Sequence, residues 1–162
     1  MSDRPINVRA ATVADLDTLV AFNQAMAFET EQKRLDAATV AAGVRRALED
    51  PNRALYFVAE VDDKVVGQTM VTLEWSDWRN GSFWWIQSVY VDPNFRRCGV
   101  FRALYEHIRT LAKERRDACG LRLYVHRDNE RAIDTYRNLG LTFTDYLLCE
   151  EDWPTPPENA TR

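Results

Sequence analysis

The 162-residue chain is poor in cysteine and histidine, with three of the first and two of the second. Cys98, Cys119 and Cys149 are far apart and form no CxxC pair, and neither His107 nor His126 stands at zinc-ligand spacing from them. That excludes a disulfide framework and a zinc module; reduced thiols and no metal are expected. No apolar run approaches the ~18–20 residues that cross a bilayer. The opening "MSDRPINVRAATVADL" has no basic region followed by an apolar stretch. A cytoplasmic protein without a membrane partner is therefore expected. Glycine is sparse as well, with six residues and neither a GxGxxG fingerprint nor a Gly-Lys-Ser/Thr loop, so the two familiar phosphate-binding loops are absent.

What is present is an ordinary globular composition, 46% hydrophobic and 28% charged, of a length suited to one domain with a single core. We expect that domain over residues 1–150, followed by a flexible tail over 151–162 in which Pro154, Pro156 and Pro157 prevent continuation of a strand. The net charge of −4 argues against a nucleic-acid partner. The charge is uneven, however: between Arg96 and Arg116 seven basic residues face two acidic ones, so that segment is +5 and the remainder −9. One local cationic segment on an acidic protein suits a small polyanion at one place.

Periodicity divides the chain further. "INVRAA" has the alternation of a first strand, and Thr12 is placed to cap a helix beginning at Val13. A second helix is expected over 37–50, then a hairpin around Asp62-Asp63-Lys64, and a strand "SFWWIQSVYVD". A long amphipathic helix follows from Val100, then a strand "GLRLYV", a helix closed by Gly140 and a last strand "LTFTDYLLCE". The predicted order is β α α β β β α β α β.

The stretch "VDPNFRRCGVFRAL" runs from a strand end through a turn into the long helix. Backbone N–H groups at a helix start lack intrahelical acceptors, and the helix dipole adds about half a positive charge. Gly99 allows close backbone approach, and Arg96, Arg97 and Arg102 add charge, so pyrophosphate fits the turn. "VYVDPNFRRCGVFRALYEHI" resembles the acetyl-CoA motif of the GNAT superfamily of acyl-CoA-dependent N-acetyltransferases, Arg/Gln-x-x-Gly-x-Gly/Ala before a long helix, with Arg96 and Gly99 in the first and fourth positions. "NERAIDTYRNLGLTF" is similar to the later motif of that family through Asn129, Ala132, Tyr136, Gly140 and Phe143. The sixth motif position departs from the pattern, since Phe101 stands where Gly or Ala is usual.

The resemblance implies an α/β (α+β) fold: a mixed, mostly antiparallel sheet of six to seven strands with about four helices, splayed between the fourth and fifth strands. It implies acetyl-CoA as co-substrate, with its pantetheine arm along the backbone of Val89, Tyr90 and Val91. Its pyrophosphate would lie on Arg96, Arg97, Cys98, Gly99, Val100, Phe101 and Arg102, with Asn129 as a further contact. Tyr136 takes the place of the tyrosine that protonates the departing thiolate. The fourth strand carries no acid, so Glu74 is the leading candidate for the base, ahead of Asp77, Glu29 and Glu31. Glu29, Trp75 and Trp85 are expected beside the acceptor, where aromatic walls and carboxylates suit a small cationic or amphipathic amine. Dimers are common in the family, and a homodimer is compatible with the resemblance. The competing expectation is a non-catalytic acyl-CoA-binding regulatory module on the same fold.

Overall fold

The computed structural model describes residues 4–153. Of the tail expected over 151–162, positions 154–162, with all three of its prolines, lie outside the described residues. The chain divides into two compact units, Met1–Tyr124 and Val125–Arg162.

The first unit is one five-stranded sheet in the order β1-β2-β3-β4-β5. Its strands are β1 (Asn7–Ala10), β2 (Leu55–Val61), β3 (Lys64–Ser76), β4 (Gly81–Val91) and β5 (Ala118–Arg122). All neighbours are antiparallel except β4 and β5, which run parallel. The β2–β3 hairpin turns at Asp62 and Asp63, both with positive φ (50° and 60°), as a tight primed turn demands. Thr12 and Asp15 form a capping box around a single 3₁₀ turn, Val13–Asp15, which leads into helix α1 (Leu16–Glu31). The helix thus begins three residues later than its cap suggests. Helix α2 (Ala37–Glu49) is capped by Asp36, whose carboxylate accepts from the Thr39 N–H.

Alternation along β2 sorts the two faces of the sheet. Tyr56 and Val58 pack with Leu16, Leu19 and Val44 of α1 and α2. Phe57, between them, meets His107 of helix α3 (Val100–Glu114) edge-on at 5.4 Å, so α3 covers the opposite face. Gly67 of β3 is a point of close approach to α3: a Cβ there would stand 2.7 Å from Val100 Cγ1 and 3.3 Å from the Tyr90 carbonyl oxygen. Strand β5 lies two to three residues earlier than the predicted "GLRLYV", because its ladder is set by Ser82–Trp85 of β4 and ends with them.

In the second unit, helix α4 (Glu130–Asn138) begins at Asn129, whose Oδ1 accepts from the Ala132 N–H at 3.1 Å. It ends in a left-handed Gly140, with Leu141 N–H donating to the Tyr136 carbonyl at 3.0 Å and Gly140 N–H to that of Arg137 at 2.9 Å. Residues 141–150 form no strand, which corrects the final strand predicted there and leaves five strands among the described residues instead of six or seven. β-Rich composition alone does not make a strand; a ladder partner is required, and Tyr146, Leu147 and Leu148 remain exposed.

Candidate active site

The site begins with an irregularity in β4. Between the rungs Gln68↔Tyr90 and Met70↔Gln87, two β4 residues, Ser88 and Val89, stand opposite Thr69 alone. Ser88 adopts φ 49°, a left-handed conformation that a non-glycine residue keeps only where its surroundings impose it. Two fully buried side chains of β3 do so. Thr69 Oγ1 donates to the Gln87 carbonyl at 3.1 Å, while Gln68 Nε2 donates to the Ser88 carbonyl at 3.2 Å and to Asn23 Oδ1 of α1 at 2.9 Å. Asn23 in turn donates to the Tyr56 hydroxyl at 3.3 Å.

The bulge coincides with a fork. β5 accompanies β4 only over Ser82–Trp85, and among the described residues Ile86–Val91 has no ladder partner on that side. The open backbone of Val89, Tyr90 and Val91 leads directly into the arginine turn. Asp92 opens it, accepting from the Asn94 N–H at 2.9 Å, and this bond together with Lys64 holds its carboxyl below the ordinary range. The chain then passes through Arg97 at φ 66° and Gly99 at φ 87° before α3 starts. Left-handed residues in such a turn swing successive N–H groups to one concave side, a shape that receives anions. A Cβ on Gly99 would find only Ile6 Cδ1, at 4.0 Å, so its backbone conformation, not crowding, requires glycine.

The three arginines divide. Arg96 Nε donates to the Val91 carbonyl at 2.9 Å, and its Nη2 pairs with Glu29 Oε2 of α1 at 2.6 Å. Glu29 also accepts from the Tyr90 hydroxyl at 3.1 Å. Arg96 and Glu29, expected on the phosphate and the acceptor respectively, thus meet each other and tie the end of α1 to the turn. Arg97 and Arg102 are exposed, and no ion-pair partner is found for them among the described residues. Cys98 is exposed and Val100 is buried beneath the turn. Phe101 is half-buried and faces Tyr105 with ring centroids 6.3 Å apart, so the bulky side chain lies along the helix.

On the face covered by α1 and α2, Glu74 of β3 accepts a hydrogen bond from the Trp85 indole and, at 2.8 Å, one from Arg122 Nη1. The indole first and the guanidinium second hold this carboxyl below its ordinary range. Glu74 and Trp85 are therefore brought together. Trp75 is not: as the neighbour of Glu74 in an extended strand it points to the opposite face, where it is 61% exposed. Arg122 was not foreseen, although an arginine in phase with the half-buried side of a strand was a legible signal. In the second unit Tyr136 is buried, which raises its phenol above 10.0, and Asn129 is engaged as the cap of α4.

A mixed sheet with a bulged fourth strand, a parallel neighbour that parts from it and a turn with two left-handed residues before a long helix defines the class of fold to which the chain belongs. The family model of the acetyltransferase (GNAT) family matches residues 16–141, and the chain belongs to that family. It is 44% identical to a possible acetyltransferase from Clostridium difficile 630, over 93% of this chain and 99% of the other, with a TM-score of 0.85. A predicted acetyltransferase from Clostridium acetobutylicum, solved with acetyl-CoA, shares the fold (TM-score 0.74) at 18% identity, covering 91% of this chain and 96% of its own. The peptidyl-lysine N-acetyltransferase YjaB of Escherichia coli K12 is 28% identical over 111 residues, which is 65% of each chain.

Among the described residues no helix is long and apolar enough to cross a membrane, and no group of three metal-ligating side chains occurs.

Proposed function

We propose that the protein transfers an acetyl group from acetyl-CoA to the nitrogen of a small primary amine, by direct attack with both substrates bound. The observation that carries this is the course of β4, which loses its partner at Trp85, bulges at Ser88 and delivers an unpaired edge into the Arg97–Gly99 turn. Strand edges of this kind pair with an extended ligand through backbone hydrogen bonds. N–H groups of Val89–Val91 would serve the pantetheine arm and the oxyanion, and those from Arg97 to Arg102 the pyrophosphate, with the exposed Arg97 and Arg102 side chains beside it. Acetyl-CoA supplies the activated acyl carbon; every other role falls to the chain.

Glu74, kept ionised by Trp85 and Arg122, receives the ammonium and passes one proton to water before attack. A second proton passes from the nitrogen to water as its bond to the acetyl carbon forms and the C–S bond breaks. Tyr136, protonated because it is buried, gives a proton to the departing thiolate and recovers one from water. Glu74 and Tyr136 both lie within the family match, which spans residues 16–141.

Calorimetry with CoA tests the turn. Gly99→Asp places a carboxylate where the pyrophosphate would lie, and affinity is expected to fall by about 100-fold; undiminished binding by a variant that still melts cooperatively removes the turn from the site. Release of free thiol from acetyl-CoA over an amine panel, including a lysine peptide because YjaB is named for that acceptor, tests the transfer. CoA binding without transfer to any amine selects the regulatory module instead, a reading favoured by the absence of an acid on β4.

A further inference from the structure

The fork between β4 and β5 carries a charge pattern that bears on the acceptor. Arg122 is the last laddered residue of β5, opposite Trp85. Its guanidinium carbon lies 3.7 Å from the centre of the Phe83 ring, and Nη1 is bound to Glu74. Among the described residues its Nε and Nη2 have no hydrogen-bond partner. Glu74 and Arg122 are 43% and 40% exposed, so both remain open to a ligand. Arg79 stands over the other part of this cluster, 5.2 Å from the Phe83 ring. Trp85 and the exposed Tyr124 face each other at 5.9 Å and give the pair an aromatic side.

The formal charge of this group, one carboxylate against two guanidiniums, is +1. Glu74 is already neutralised by its partner, and a polyamine would meet two fixed cations with no free anion to offset them. The complement of a fixed ion pair is a second ion pair set head to tail. An ammonium then rests on the carboxylate while an anionic group takes the remaining donors of the guanidinium fork, a geometry for which arginine is suited and lysine is not.

We propose that the acceptor is a free α-amino acid with an apolar or aromatic side chain. Its ammonium meets Glu74, its carboxylate meets Nε and Nη2 of Arg122, and its side chain lies against Trp85 and Tyr124. The inference rests on the acetyl-transfer function proposed above and narrows its acceptor.

L-Phenylalanine, L-phenylalaninamide and 2-phenylethylamine share a ring and an amine and differ in the carboxylate, so kcat/KM for the three at fixed acetyl-CoA is the test. The acid is expected to lead 2-phenylethylamine by about tenfold, the size of one partly exposed charge-assisted contact. The amide works against that order, since its ammonium is the more acidic and a larger fraction of it is neutral. In Arg122→Gln the acid-to-amide and acid-to-amine ratios are both expected to fall by about tenfold, chiefly through KM, whereas a purely structural role would lower all three alike. Indole fluorescence titrated with L-phenylalanine reads the same contact without turnover and is expected to respond in the wild type and not in the variant.

Turnover of 2-phenylethylamine at the level of the acid overturns the inference and leaves acetyl transfer standing, as does an equal loss of all three in Arg122→Gln. Arg122-dependent binding of phenylalanine with no acetylation of any amine keeps the carboxylate site and overturns the transferase function.

Discussion

Tyr136, to which the proposed mechanism assigns the proton of the departing thiolate, shows at the scale of one residue what burial does to a phenol. Removing a phenol from water disfavours phenolate, so its pKa moves above 10.0 and the proton stays available throughout the neutral range. Tyr136→Phe is expected to lower kcat by roughly 100-fold, within the span assigned to a positioned acid, while CoA affinity read by calorimetry stays within about threefold. An unchanged kcat removes the residue from that role. The sign of the pH dependence follows from the same shift: a raised phenol pKa places loss of the acid form on the far alkaline side. Glu74 moves the other way and stays ionised down to the acid range, so the rise of kcat/KM with pH should follow the ammonium of the acceptor, with no step near neutrality from Glu74.

At the scale of an element, β4 is shaped by β3. The left-handed Ser88 is held by Gln68 and Thr69, both fully buried, and Gln68 also reaches α1 through Asn23. Gln68→Leu keeps the volume and removes both donor contacts, leaving the Ser88 carbonyl and the Asn23 oxygen without this partner. A loss of about 1–3 kcal/mol in urea unfolding is expected, the cost of stranding buried polar groups. Because the bulge sets the open edge, KM for acetyl-CoA should rise in the same variant. A stability loss with KM untouched would make the network structural alone. The short helix α4 illustrates the opposite case, an element whose two ends are set locally, by Asn129 at one and the left-handed Gly140 at the other.

For the whole molecule, one source of acid sensitivity lies where β1, β2 and the entry to α1 meet. Arg9 pairs with Asp15 at 2.8 Å and Glu60 at 2.6 Å, and both carboxyls are held below their ordinary values, first by their hydrogen bonds to Arg9. A depressed carboxyl contributes stability in full above its unfolded pKa and loses it as pH falls through the folded one. Arg9→Met is therefore expected to cost about 1–2 kcal/mol at pH 7, allowing for partial exposure. The difference between variant and wild type should shrink below pH 4 as both carboxyls protonate. Thermal melts at pH 7 and pH 3.5 check this; a difference that persists undiminished at the lower pH shows that packing, not charge, is lost.

The amino-acid sequence by itself determined the elements whose signals are local. The amphipathic period of α3, the Asp-Asp turn of the first hairpin, the cap and left-handed end of α4 and the Arg96–Gly99 motif are all readable within a few residues of themselves, and they carried the family. What only the tertiary structure decided are relations between distant positions. The strand phase that separates Trp75 from Glu74, the pairing of Arg96 with Glu29 sixty-seven residues away, and the meeting of Glu74 with Arg122 across the fork depend on register. Register is set by bulges and by which rungs find partners, and a shift of one residue sends a side chain to the other face. For the same reason residues 141–150 have the composition of a strand without its ladder, while Ser88, unremarkable in sequence, becomes the residue on which the open edge turns.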